Sequence, residues 1–68
     1  MSGKVYKKIE IVGESETGIS DAIASAIEKA GKTLHSLNWF EVQEIRGYIK
    51  DNKPGYQVTL KVGFRLDE

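Results

Sequence analysis

Sixty-eight residues without a cysteine make a single small domain, with neither a disulfide staple nor a thiolate metal site to support it. Ten acidic and ten basic side chains cancel, so no long-range field draws the chain to nucleic acid or an anionic membrane. A chain this short buries only about 60% of the surface its unfolded form exposes, which leaves oligomerisation as the usual remaining stabiliser.

The opening Met1-Ser2-Gly3-Lys4 leads into a strand pattern with no apolar signal core, and no stretch is apolar for long enough to span a bilayer. The expected compartment is the cytoplasm. Residues 1–68 carry no repeat or linker and read as one domain. From Val5 to Val12, Val5, Ile9 and Ile11 share one parity while Tyr6, Lys8 and Glu10 share the other, which predicts a half-buried strand. Gly13 to Gly18 then turn the chain.

Between Thr17 and Leu37 the apolar positions Ile19, Ile23, Ala26, Ile27, Ala30, Leu34 and Leu37 step by threes and fours, predicting one amphipathic helix. Ser15 or Thr17 suits its cap, and Glu16 and Asp21 suit the positive end of its dipole. Gly31 sits inside the pattern at a cost of about 1 kcal/mol against alanine, which a close packing contact or a local bend would explain.

The second strand, Trp39 to Lys50, starts with Phe40 and Val42 facing inward but later places Ile45 and Ile49 on the opposite parity. Either a bulge near Gln43 and Glu44 restores the face, or the distal half packs against a neighbouring subunit. The breaker cluster Asp51-Asn52-Lys53-Pro54-Gly55 follows. In the third strand Tyr56, Val58, Leu60, Val62, Phe64 and Leu66 alternate with Gln57, Thr59, Lys61, Gly63 and Arg65. The order β-α-β-β, with a hairpin at its end, gives an α+β protomer: a three-stranded antiparallel sheet of order 1-3-2 with one helix on one face.

Parity puts Trp39, Glu41 and Gln43, Gln57, Thr59, Lys61 and Arg65, and Tyr6, Lys8 and Glu10 on the open face. Trp39 is out of place on so polar a surface, and something flat or another subunit should stack on it. Packing over the helix end is the bland alternative, which its parity opposite to Phe40 opposes. Gln57 carries a carbonyl and an amide, and so can pair with a donor and an acceptor on a heterocycle edge, or remain an ordinary solvated strand residue. Arg46 and Arg65 could hold a phosphate, or form surface ion pairs with Glu41, Glu44, Asp67 or Glu68. His35 reads as surface. Neither a nucleophile elbow, a metal-binding loop nor a phosphate-cradling glycine motif is present, so the chain is read as non-enzymatic.

The segments Lys8-Ile9-Glu10-Ile11-Val12-Gly13, Leu37-Asn38-Trp39-Phe40-Glu41-Val42, Arg46-Gly47 and Tyr56-Gln57-Val58-Thr59-Leu60-Lys61-Val62-Gly63-Phe64-Arg65-Leu66 resemble the dodecin family over nearly the whole chain. The resemblance implies a hollow homododecamer that stores flavin stacked between aromatic side chains of related subunits. It further implies that Trp39 sandwiches the ring, that Gln57 binds its polar edge, and that Arg46 and Arg65 lie near a ribityl phosphate or a neighbouring subunit. Dodecins of the bacterial type favour FMN and can hold coenzyme A, while haloarchaeal ones favour riboflavin; the balanced charge disfavours a halophile, so FMN is expected. For coenzyme A the family points to Lys4, Tyr6, Lys29, Lys32 and Thr33. The competing expectation is a purely structural self-assembling domain in which Trp39 anchors an interface.

Overall fold

The computed structural model describes residues 3–66. Four elements follow in order: β1 (Tyr6–Ser15), α1 (Ile19–Gly31), β2 (Leu37–Lys50) and β3 (Lys53–Arg65). The strands lie in the order β1-β3-β2 with both neighbouring pairs antiparallel, as the element order requires. Val5, expected within the first strand, precedes it and is exposed.

The β1–β3 ladder runs without interruption from Tyr6 opposite Arg65 to Ser15 opposite Tyr56. The β2–β3 ladder shifts register twice, between Leu37 and Trp39 and between Val42 and Glu44. The second shift is a bulge near Gln43 and Glu44, the first of the two arrangements the parity allowed. It leaves Gln43 without a partner, so Val42 stands opposite Leu60 and Ile45 opposite Val58, and Ile45 and Ile49 return to the face of Phe40 and Val42. The first shift, at Asn38, has no forerunner in the parity argument. Leu37 and Trp39, two residues apart, would share a face in a regular strand; the extra residue sends Leu37 toward the core and Trp39 to the other side.

The β2–β3 connection is tighter than the breaker cluster suggests. Only Asp51 and Asn52 lie between the strands, both left-handed at φ 53° and 62°, the pair of positive angles that matches a two-residue hairpin to strand twist. Lys53 and Pro54 already belong to β3. Proline is tolerated there because β1 ends opposite Tyr56, so β3 is locally an edge strand.

The helix is shorter than the apolar stripe. It stops at Gly31, where the Lys32 and Thr33 amides donate hydrogen bonds to the Lys29 and Ala30 carbonyls and close the last turn, so Thr33, Leu34 and Leu37 lie outside it. Leu37 reaches the core from the start of β2 instead, which explains how its spacing mimicked another helical turn. Neither Ser15 nor Thr17 caps the helix, whose N-cap is Gly18. Ser15 is buried before it, accepting bonds from the amides of Thr17 and Gly18 and donating to Asp21 Oδ2 at 2.7 Å.

Ala22, Ala26, Val58, Leu60 and Val62 form the buried core, flanked by Ile9, Ile11, Ile23, Ile27 and Leu37. The small helix residues let α1 settle directly on β1: a β-carbon at Gly13 would strike the Ala22 carbonyl and lie 2.9 Å from Ala26 Cβ. Because α1 packs on β1 and β3, the helix-side face of β2 is left bare, with Phe40, Val42, Ile45 and Ile49 exposed at 45%, 42%, 53% and 81%. The protomer is correspondingly drawn out, 56 × 21 × 13 Å with a radius of gyration of 14.2 Å, against about 11 Å for a compact chain of this length. Its accessible surface of 5225 Å² likewise exceeds the roughly 4,300 Å² expected of a compact monomer.

Candidate functional site

The bulge at Asn38 delivers Trp39 to the open face of the sheet, directly opposite Gly63. The indole lies across Gly63, its ring carbons in the space a β-carbon there would need. Tyr6, at the start of β1, meets it edge to face with centroids 5.2 Å apart and planes at 65°. Trp39 remains 38% exposed, so the indole is held from below and from one side while part of it faces outward. It does not pack over the helix end.

An apolar crevice of about 130 Å³ runs behind this strand from Ile27 to Phe40. A drug-sized ligand needs roughly 300 Å³ or more, so this crevice is no pocket for a three-ring heterocycle.

At the other end of the same face a row crosses all three strands. Gln57 on β3 stands opposite Glu14 on β1 and Arg46 on β2. Arg46 Nε donates to Gln57 Oε1 at 2.8 Å, and Gln57 Nε2 donates to Glu14 Oε1 at 2.8 Å. Each end of the amide therefore spends one hydrogen-bonding valence within the row and keeps one, a lone pair on Oε1 and a proton on Nε2. Glu14 was not among the residues singled out from sequence, where nothing relates it to a glutamine 43 positions away. Tyr48 lies beyond the row, its ring across Gly55 as the indole lies across Gly63. Desolvation first, then the carboxylates of Glu14 and Glu16, raise its phenol above the ordinary value of 10.0.

Trp39 and Gln57 do not meet within a protomer. The partners Gly63 and Gln57 are six residues apart on β3, about 20 Å along a strand. Arg65, exposed and opposite Tyr6, belongs to the Trp39 end, whereas Arg46 belongs to the Gln57 end. The expected arginine ion pairs are not formed among the described residues, where Glu41 instead pairs with Lys8 at 3.4 Å. Asp67 and Glu68 lie outside those residues.

The residues expected for coenzyme A divide. Tyr6 stands with Trp39, and Lys4 is exposed before β1, while Lys29 and Thr33 line a groove of about 250 Å³ between α1 and β1 on the helix side. Lys32 follows the helix end. Among the described residues no cluster of histidines and carboxylates could hold a metal, and no helix is long and apolar enough to cross a membrane.

The dodecin family model matches residues 5–67. The dodecin of Thermus thermophilus is 58% identical over 67 residues, covering 97% of each chain. Crystal structures of Thermus dodecin variants, one with a tryptophan replaced and two with an arginine replaced, superpose with TM-scores of 0.92 to 0.93 at 57% identity, covering 97% of this chain and 98% or more of theirs. The dodecin of Streptomyces davaonensis gives 0.95 at 50% identity over 98% of this chain and all of its own. Matched by the family model over residues 5–67 and similar to these proteins over nearly its full length, the chain belongs to the dodecin family.

Proposed function

We propose that this protein stores flavin, holding FMN or riboflavin between the subunits of a homododecamer and quenching the excited ring through Trp39. Dodecins as a family are small, non-catalytic flavin-binding homo-oligomers, and the finer reading rests on one observation. A partly exposed indole, supported flat by Gly63 and edge-on by Tyr6, lies about 20 Å from an amide with one spare donor and one spare acceptor. That distance exceeds a three-ring heterocycle, so a ring touching both residues takes them from different copies of the chain.

The roles follow from chemistry. Trp39 stacks on the isoalloxazine and supplies the electron that quenches it. Gln57 pairs with the N–H and carbonyl of the pyrimidine-like edge. Arg46 and Arg65, the only arginines of the chain, neutralise the ribityl phosphate or a neighbouring subunit, which favours FMN over riboflavin. Lys4, Tyr6, Lys29, Lys32 and Thr33 form a secondary site for coenzyme A; because one protomer divides them, that site too draws on more than one copy. The compartment is the cytoplasm.

Variants of the Thermus relative that lack a tryptophan or an arginine keep the fold, which supports assigning these side-chain types to ligand rather than to core. The bare apolar face of β2 favours a second reading, self-assembly alone with Trp39 as an anchor. Size-exclusion chromatography with light scattering and in-line absorbance, with and without FMN, decides between them. A twelve-subunit peak carrying quenched flavin is expected; an unliganded dodecamer leaves only the structural reading, and a monomer with fully fluorescent flavin rejects both.

A further inference from the structure

We infer that Glu14 is a positioning residue of the flavin site, one that fixes which end of the Gln57 amide faces which way and thereby the sense in which a ring can dock. The inference rests on the flavin-storage reading above. A primary amide offers its oxygen and its NH₂ almost interchangeably, and an exposed glutamine turns over between the two arrangements. Here the two neighbours cannot be exchanged. A guanidinium only donates and an ionised carboxylate only accepts, so Arg46 holds Oε1 on the β2 side and Glu14 holds Nε2 on the β1 side. Reversing the amide would set donor against donor and oxygen against oxygen at once.

Of the two, Glu14 is the dependable one. Arg46 carries a second duty, since the same guanidinium is attracted to a ligand phosphate, and when it turns there Oε1 loses its partner. Glu14 has no such pull toward the ligand: a carboxylate repels phosphate, and with two oxygens it can serve the neighbouring Tyr48 phenol and Gln57 Nε2 together, so FMN gives it no reason to release Nε2. The spare lone pair on Oε1 then meets the ring N3–H, and the spare proton on Nε2 meets the adjacent carbonyl, in one order only. Losing Glu14 leaves Gln57 able to present either end to the ring, which weakens selection for N3–H.

The test compares dissociation constants for FMN and N3-methyl-FMN, measured by flavin fluorescence quenching on the assembled protein. Using the ratio cancels the gain in phosphate attraction that removing an acidic charge would cause. The wild type is expected to prefer FMN by about tenfold, the worth of a hydrogen bond to a polarised partner. Glu14→Ala is expected to cut that preference by about fivefold, and Glu14→Gln, whose amide can accept from Nε2 but can equally donate to Oε1 of a reversed amide, to cut it by about two- to threefold. Glu14→Val, a strand former without an acceptor, replaces the alanine variant if light scattering shows that alanine impairs assembly. An undiminished preference in the alanine or valine variant overturns the role of Glu14 while leaving flavin storage intact. A wild type that binds neither ring overturns both.

Discussion

Trp39 and Gly63 face each other across the β2–β3 ladder, and the indole occupies the volume a side chain at residue 63 would need. A built β-carbon falls 2.5 Å from Trp39 Cη2, and closer still to two other ring carbons. Gly63→Ala must therefore lift the indole from the sheet and break its edge contact with Tyr6. The expected result is a shifted emission of the sole tryptophan and at least about tenfold weaker flavin binding with the oligomer retained. An unchanged emission spectrum would show that the indole does not rest on Gly63.

Trp39→Ala removes the platform itself. Stacking contributes roughly 0.5–1.5 kcal/mol beyond the area buried, and the area is lost too, so affinity for FMN should fall well over tenfold. Because Trp39 lies on the face away from the core residues, the fold and assembly should survive. Fluorescence titration and light scattering on the same sample check both halves of this expectation; an FMN dissociation constant equal to wild type would remove Trp39 from the site.

Two glycines make a paired test of packing. At Gly13 a methyl group would collide with the Ala22 carbonyl, which α1 can relieve only by moving off β1. Gly13→Ala should cost about 1–3 kcal/mol. At Gly31 the nearest atom to a new methyl is Leu37 Cδ1 at 3.7 Å, an ordinary contact, so Gly31→Ala should be neutral or gain up to about 1 kcal/mol from helix propensity. Urea denaturation of the two variants beside wild type should place their midpoints on opposite sides of it or, for Gly31→Ala, level with it.

Period-two alternation made the strands legible and the β-α-β-β connectivity their order, while Ile45 and Ile49, visibly on the wrong parity, pointed to the bulge at Gln43 as one of two explanations. The bulge at Asn38 left no such mark. Trp39 was already placed outward from Phe40, and Leu37 fitted the helical spacing of Ile27, Ala30 and Leu34, so nothing demanded an irregularity between them. The same coincidence lengthened the expected helix past Gly31. Of the site, Trp39 and Gln57 stood out by residue type and face. Glu14 did not, because its meaning comes from a cross-strand register that no local pattern encodes.

The bare strip on β2 predicts how assembly fails. Val42 and Ile45 stand opposite Leu60 and Val58, so their side chains continue the core beyond the reach of α1. Each is about half exposed in the protomer, at 42% and 53%, and burying the remainder against another copy would contribute roughly 1 kcal/mol apiece. Ile45→Lys places a charge in that contact at each symmetry-related position. The variant should elute as monomers or small oligomers, and light scattering showing an assembly of wild-type mass would exclude the strip as an interface.

Tyr48 adds a pH dependence to the stability of the fold on the alkaline side. Its phenol titrates above 10.0 in the folded chain, raised by desolvation and by Glu14 and Glu16, while the unfolded chain keeps the ordinary value. The folded state therefore holds the proton more tightly. Its contribution is complete below pH 10.0 and is lost as pH rises from there through the elevated folded value. Tyr48→Phe cannot ionise and retains the ring across Gly55. Thermal unfolding of both proteins between neutral pH and pH 11 should show the wild type falling more steeply above pH 10 than the variant. Parallel curves would mean that the Tyr48 phenol ionises with the same ease folded and unfolded.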